Sequence, residues 1–210
     1  MSAVHLEMLG AGVASQVYSV KNGCSDTTKQ RSKICIKVAC GGVNSKDNFW
    51  NYAYWLKFVN KEKHYCLPKI FFLDTDNKLA VMQQYEITVR DAVDALITGE
   101  EKDKRLKLAR VWLKKYFGNV IGGNRQMEAI RSFMRLEFDV GRSMESYDNE
   151  MKSLARKEVY PTQELRSFYE YFLRVLIPAG YQFKFPMEDV HMANIMLNKF
   201  GEMVIIDPSF

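Results

Sequence analysis

Three side chains, Asp189, Asn194 and Asp207, carry the oxygen chemistry of interest, and their spacing is specific. Asp189-Val190-His191-Met192-Ala193-Asn194 sets an acid and an amide five positions apart, and Asp207 follows thirteen later, at the end of the apolar run Met203-Val204-Ile205-Ile206. Phosphoryl transfer needs positioning and charge compensation more than covalent chemistry. One acid can orient an attacking hydroxyl, while an amide and a second carboxylate hold Mg²⁺ on the phosphates. A hairpin with Asn194 at its entrance and Asp207 at its exit would set both beside one metal. Upstream, Lys37 stands between Ile36 and Val38 in a strand-like run. Burying its ammonium is costly without a partner, although alternation could also leave it on a solvated face. Further upstream, Gly10-Ala11-Gly12-Val13-Ala14-Ser15-Gln16-Val17 places glycines where backbone N–H groups could approach phosphate oxygens. A plain hairpin would use the same residues. A dinucleotide loop is disfavoured, because the following residues continue as strand instead of opening a helix. Polar residues at loop ends explain any one of these features, but poorly explain all of them in this order.

The elements that must position these residues follow from periodicity. Val13–Val20 reads as a strand after a glycine turn, Asn22-Gly23 as a hairpin signal, and 34–39 as a second strand. Gly41-Gly42 breaks the chain, and Ser45 or Asp47 caps a helix running to about Asn60. Strand-like runs at 69–73 and 78–84 follow, joined by Asp74-Thr75-Asp76-Asn77. Helices are expected near 88–97, 102–117, 124–138 and 162–177, the last ended by Pro178-Ala179-Gly180, with 139–160 less periodic and read as loop with short helix. Short strands at 192–197 and 203–206 flank a turn at Asn198-Lys199-Phe200-Gly201. The order, β-rich then α-rich, predicts an α+β fold of two lobes, 1–86 and 87–210.

The 210 residues are 47% hydrophobic and 26% charged, enough for a packed core and unlike a disordered chain. No apolar run approaches the roughly 20 residues of a membrane helix, and the start lacks a secretory pattern. A soluble, cytoplasmic protein is therefore expected. Cys24, Cys35, Cys40 and Cys66 form no C-x-x-C pair and the three histidines are scattered, which argues for free thiols in a reducing compartment over a zinc site. The net charge of +5 is densest along Lys102, Lys104, Arg105, Lys107, Arg110, Lys114 and Lys115, interleaved with apolar residues. That stretch is an amphipathic helix whose basic face is either simply solvated or a docking surface for an acidic partner or nucleic acid.

The stretch from Asp189 to Asn194 resembles the catalytic loop of the protein-kinase superfamily, and Asp207 resembles the acid of its D-F-G motif. The Asp-Val-His start and the Asn-Ile-Met … Ile-Asp-Pro ending are most similar to the early serine/threonine kinases of short-tailed enterobacterial phages. The same loop is similar to the Asp-x-His-x-x-Asn loop of aminoglycoside phosphotransferases. The pattern covers roughly residues 8–40, 79–86 and 186–208, and leaves 95–160 unmatched.

The resemblance implies Asp189 as the catalytic acid, Asn194 and Asp207 as Mg²⁺ ligands, and Lys37 as the contact to the α- and β-phosphates of ATP. It implies a phosphate-covering loop from Gly10 through Ala11, Gly12 and Ser15 to Val17. Adenine would meet the backbone near Gln83 to Tyr85, with Met82 behind it. Three departures stand out. Ser15 replaces the third glycine. Asp207-Pro208-Ser209-Phe210 stands for D-F-G, so the expected helical lobe is reduced, without an activation segment, A-P-E motif or later helices. Between Lys37 and Glu62 the only acid is Asp47, so the customary helix glutamate is missing; Glu86, Glu188 or an acid within the unmatched middle are left as substitutes. The implied function is serine/threonine phosphorylation of host cytoplasmic proteins, with an activating or target host protein as a further partner and nucleic acid disfavoured. The alternatives are a small-molecule phosphotransferase and a kinase-like binding module with little catalysis.

Overall fold

Alternating small and β-branched residues in the first forty positions form three antiparallel strands, β1 (His5–Ala11), β2 (Ser15–Lys21) and β3 (Ile34–Ala39). The computed structural model describes residues 5–11, 15–21, 34–39, 45–99, 104–118, 120, 123–135, 143–185, 187 and 190–207. The hairpin signal at Asn22-Gly23 lies outside them. Helix α1 (Ser45–Glu62) follows, then β4 (Ile70–Asp74) and β5 (Leu79–Gln83). The five strands make one antiparallel sheet in the order β1-β2-β3-β5-β4. Asp74 builds the β4–β5 turn, its carboxylate accepting from the N–H groups of Asp76 and Asn77, both at 3.0 Å. Apolar positions of α1, among them Ala53, Trp55, Leu56 and Val59, are buried with Ala80 and Met82 of the sheet.

The chain is an α+β protein of two compact units, Met1–Tyr85 and Glu86–Ser209. The second unit contains β6 (Ile87–Thr88), α2 (Val89–Thr98), α3 (Lys104–Phe117), α4 (Asn124–Arg135), α5 (Met144–Ala155) and α6 (Gln163–Tyr171). It continues through a π-helical turn (Phe172–Leu176), α7 (Ile177–Phe183), β7 (Ile195–Leu197) and β8 (Met203–Ile205). The strands β6, β7 and β8 form a small antiparallel sheet. Helix α2 begins in a capping box: the Thr88 hydroxyl accepts from Asp91 N–H while the Asp91 carboxylate accepts from Thr88 N–H. The core holds Val93, Trp112, Ile130, Phe168, Phe172 and Ile205, all nearly inaccessible. No described helix is long and apolar enough to cross a membrane.

One expectation about the helices is refined and another corrected. The segment 139–160, expected to be loop with short helix, contains α5, a helix of 12 residues capped by Ser143, whose hydroxyl accepts from Ser146 N–H. Pro178-Ala179-Gly180 does not end the preceding helix, which runs on to Phe183. The π turn before it shifts the hydrogen bonding, so that Ile177 N–H reaches back to Phe172, and Pro178 falls at the start of α7. A proline there lacks only an N–H that a first turn leaves unused. Helix α7 stops instead at Lys184, in the left-handed region at φ 60°, with its N–H on Gly180 O.

Candidate functional site

In the first unit, Lys37 lies at the centre of β3, paired with Val17 of β2 and Ala80 of β5. Despite its charge it is only 9% exposed, so the solvated-face alternative does not hold. Its ammonium sits over the ring of Tyr52 on α1, 3.9 Å from the ring centroid. Tyr52 is a residue the sequence reading missed. An aromatic four positions before Leu56 reads as core, and its contact with a strand lysine depends on how the helix crosses the sheet.

Of the expected phosphate loop, Gly10 and Ala11 lie in β1, paired with Val17 and Gln16. The pairing slips by one residue between Met8 and Gly10, a bulge that glycine accommodates readily. Ser15 opens β2 opposite Ala39. Gly12 lies outside the described residues. The hinge candidates are partly engaged within the unit. Met82 is buried opposite Cys35, and Gln83 N–H donates to Lys69 O at 2.9 Å. The Tyr85 hydroxyl accepts from Lys69 N–H at 2.9 Å, and burial pushes its pKa up to about 12. Cys35 and Cys66 are buried free thiols; burial pushes Cys35 up to about 11.

In the second unit, residues 191–194 form a tight turn. Asn194 N–H donates to His191 O at 2.8 Å, and Ala193 N–H to His191 Nδ1 at 3.1 Å. Val190 and Met192 anchor this loop in the core, and Arg90 N–H of α2 donates to Met192 O at 3.3 Å. Asp189 lies outside the described residues. Strands β7 and β8 leave this turn and return, and Ile206 N–H donates to Asn194 O at 3.0 Å. That bond closes the hairpin at its open end, so Asn194 and the residue following Ile206, Asp207, flank one closed ladder. Both side chains are half-buried.

Helix α3 braces the same hairpin from its other end. The Asn198–Gly201 turn forms as expected, with Gly201 at φ +70°. A Cβ on Gly201 would lie 3.0 Å from both Trp112 N and Val111 Cγ1, so only glycine allows this approach. The Tyr116 hydroxyl accepts from Met203 N–H at 3.1 Å, and Lys115 Nζ reaches Glu202 Oε1 at 2.9 Å. Burial alone would raise the Glu202 carboxyl, but hydrogen bonds from Lys115 and Asn198 outweigh it and hold it below its ordinary value. The basic helix is thus only partly a solvated face. Arg105, Lys107, Arg110 and Lys114 are exposed while Lys115 is tied to the hairpin. A concavity of about 430 Å³ beside α3, touched by Glu86, Ile87, Arg105, Leu108 and Lys199, contains none of the expected catalytic, nucleotide or metal residues, and of the candidate substitutes for the helix glutamate only Glu86.

Asn194 and Asp207 present hard oxygen donors, the type Mg²⁺ accepts. Among the described residues no three His, Cys, Asp or Glu side chains cluster as a metal cage. A pair of protein oxygens suits a cation that takes its remaining ligands from phosphate and water, so the donor set fits a nucleotide-borne Mg²⁺. No protein-family model matches the chain, and no curated protein matches it.

Proposed function

We propose that this chain is an ATP- and Mg²⁺-dependent phosphotransferase with a two-lobed protein-kinase-like fold, acting on serine and threonine hydroxyls of host cytoplasmic proteins. The observation that carries the reading is the closed β7–β8 hairpin, with Asn194 and Asp207 flanking its open end. A buried lysine on the third strand of a glycine-containing antiparallel sheet supports it, because kinases carry their phosphate-contacting lysine on that strand.

Lys37 would hold the α- and β-phosphates of ATP, and backbone groups at Gly10 to Val17 would cover them. Gln83 N–H already bonds to Lys69 O, which leaves the other backbone groups of Gln83 to Tyr85 for the adenine contact. Asn194 and Asp207 would hold Mg²⁺, whose charge, when bound, offsets that building on the transferred phosphoryl group. Asp189 would accept a hydrogen bond from the acceptor hydroxyl and take its proton. The new O–P bond forms as the bond from the γ-phosphorus to ADP breaks.

A second reading, a kinase-like module that grips a host factor with little catalysis, draws on the tyrosine that Lys37 meets, where the resemblance implies a glutamate. Incubating purified protein with radiolabelled ATP, Mg²⁺ and bacterial lysate separates the two. Label entering lysate proteins, and absent with Asp189→Ala, is the expected result. No label in any protein, together with stable capture of one lysate protein, favours the module.

A further inference from the structure

The concavity beside α3 takes no part in the proposed chemistry, yet the second unit builds it from three fixed pieces. One is the start of β6, where Glu86 N–H donates to Leu197 O at 3.1 Å and Ile87 pairs with Leu197. Another is the β7–β8 turn, which the close approach of Gly201 to Val111 and Trp112 holds against α3, so that Lys199 borders the same space. The third is α3 itself: Arg105, Lys107, Leu108 and Val111 are linked by helical spacings of three and four and form one stripe. The volume of about 430 Å³ lies within the roughly 300–1,000 Å³ typical of ligand sites. Its lining is mixed. Val111 is 45% exposed and Leu108 half-buried, an apolar surface open to solvent. Lys107 and Lys199 are exposed cations, Lys199 lying 4.9 Å from the centroid of the Phe200 ring. Arg105 is shared with Asp91, 3.6 Å away, so the two lysines carry the charge. Among the described lining residues Glu86 is the only acid.

We infer that this concavity is a docking site for an acidic peptide segment with aliphatic side chains, borne by the host protein. The inference rests on the proposed function and deepens it by giving the partner a chemical class. Carboxylates of the segment meet Lys107 and Lys199, and an aliphatic side chain removes Leu108 and Val111 from water. A nucleic-acid strand gains nothing from those apolar side chains, and Glu86 repels its phosphates. The location fits a docked acceptor. The turn that carries Lys199 is the far end of the hairpin whose open end is flanked by Asn194 and Asp207. Asn194 and Asn198, at the two ends, are about 13 Å apart along an extended chain. A segment held at the turn therefore leaves the open end clear for the phosphoacceptor.

The test follows, by fluorescence anisotropy, a labelled peptide of glutamates interrupted by leucines. Salt is set at about 0.15 M, where exposed charges more than about 8 Å apart are screened. The comparison probes are the same peptide with serine for leucine, the same peptide with lysine for glutamate, and an oligothymidylate. The parent should bind the glutamate–leucine peptide most tightly. Lys107→Glu with Lys199→Glu should weaken that binding about tenfold, two reversed charges at the scale of exposed ion pairs. Arg110→Glu with Lys114→Glu makes the same change in net charge on α3 outside the concavity, and should stay within about twofold of the parent. All four side chains are exposed, so both variants should keep the fold. Parental affinity in the Lys107/Lys199 variant, equal loss in the Arg110/Lys114 variant, or equal binding of the leucine and serine peptides overturns the inference. Tighter binding of the oligothymidylate assigns the face to nucleic acid and overturns it as well. Phosphotransfer is read separately, with radiolabelled ATP and bacterial lysate. Label entering lysate proteins from a chain that does not bind the peptide overturns the docking site alone. Peptide binding through the two lysines without any transfer supports the docking site and overturns the phosphotransferase reading.

Discussion

At the level of single residues, the proposed reading gives Asp207 and Asp189 separable duties. Asp207 supplies the only formal negative charge of the candidate metal pair, so Asp207→Asn should weaken Mg²⁺-dependent ATP binding by tenfold or more. Calorimetry with and without Mg²⁺ checks this, and equal metal-dependent affinity in the variant would remove Asp207 from the metal. Asp189→Ala should abolish transfer and leave ATP affinity nearly unchanged, because an acid that only orients the acceptor acts in the transition state. Transfer within tenfold of the parent would argue against that role. Asn194, Asp207 and Lys37 were legible because each is a polar residue set against an apolar run in a fixed order. Tyr52 was not. Its type and spacing are those of any core aromatic, and nothing in the linear sequence says that its face meets a lysine across the sheet.

At the level of elements, α3 supports the hairpin through Tyr116, Lys115 and the Gly201 contact. The Glu202 carboxyl is held below its ordinary value of 4.5, so the folded state favours its ionised form. That contribution is fully present above 4.5 and is lost as pH falls through the lower folded value. Lys115→Met should therefore lower the melting temperature at pH 7 and flatten its decline in acid, which a pH series of melts will read. Gly180 serves another close approach, since a Cβ there would lie 2.6 Å from Phe185 O. Alanine would gain about 1 kcal/mol of helix propensity, but a clash with backbone costs about 1–3 kcal/mol. Gly180→Ala should thus be destabilising, and chemical denaturation will show whether it is.

Element legibility followed signal strength. β3 is Ile34–Ala39 as read, and α1 starts at Ser45, because both runs combine clear periodicity with clear breaks. Helix α5 was legible only as a short helix within loop, because it buries chiefly Tyr147 and Leu154 amid a polar sequence. Pro178 was read as a stop because a π turn leaves no mark in composition.

At the level of the whole molecule, the proposed phosphotransferase reading predicts that nucleotide binding stabilises the folded chain. Saturating Mg²⁺ and ATP at 100 times Kd should stabilise the folded chain by about 2.7 kcal/mol, and ATP with a chelator by much less. Differential scanning fluorimetry reads this, and an equal shift with and without Mg²⁺ would count against a metal-borne nucleotide. The sheet of the second unit has another consequence, for how the chain is made. Strand β6 pairs Ile87 with Leu197, so its partner emerges from the ribosome only after most of the unit has been synthesised. At about 5–20 residues per second, β6 waits on the order of 5–20 s for it. The five-stranded sheet, by contrast, has all its strands once Gln83 is out. The nascent chain should then carry a finished first unit beside an open helical one, and the hairpin bearing Asn194 should complete last. Arrested chains of increasing length, probed by proteolysis, would show protection of the first unit well before that of the second.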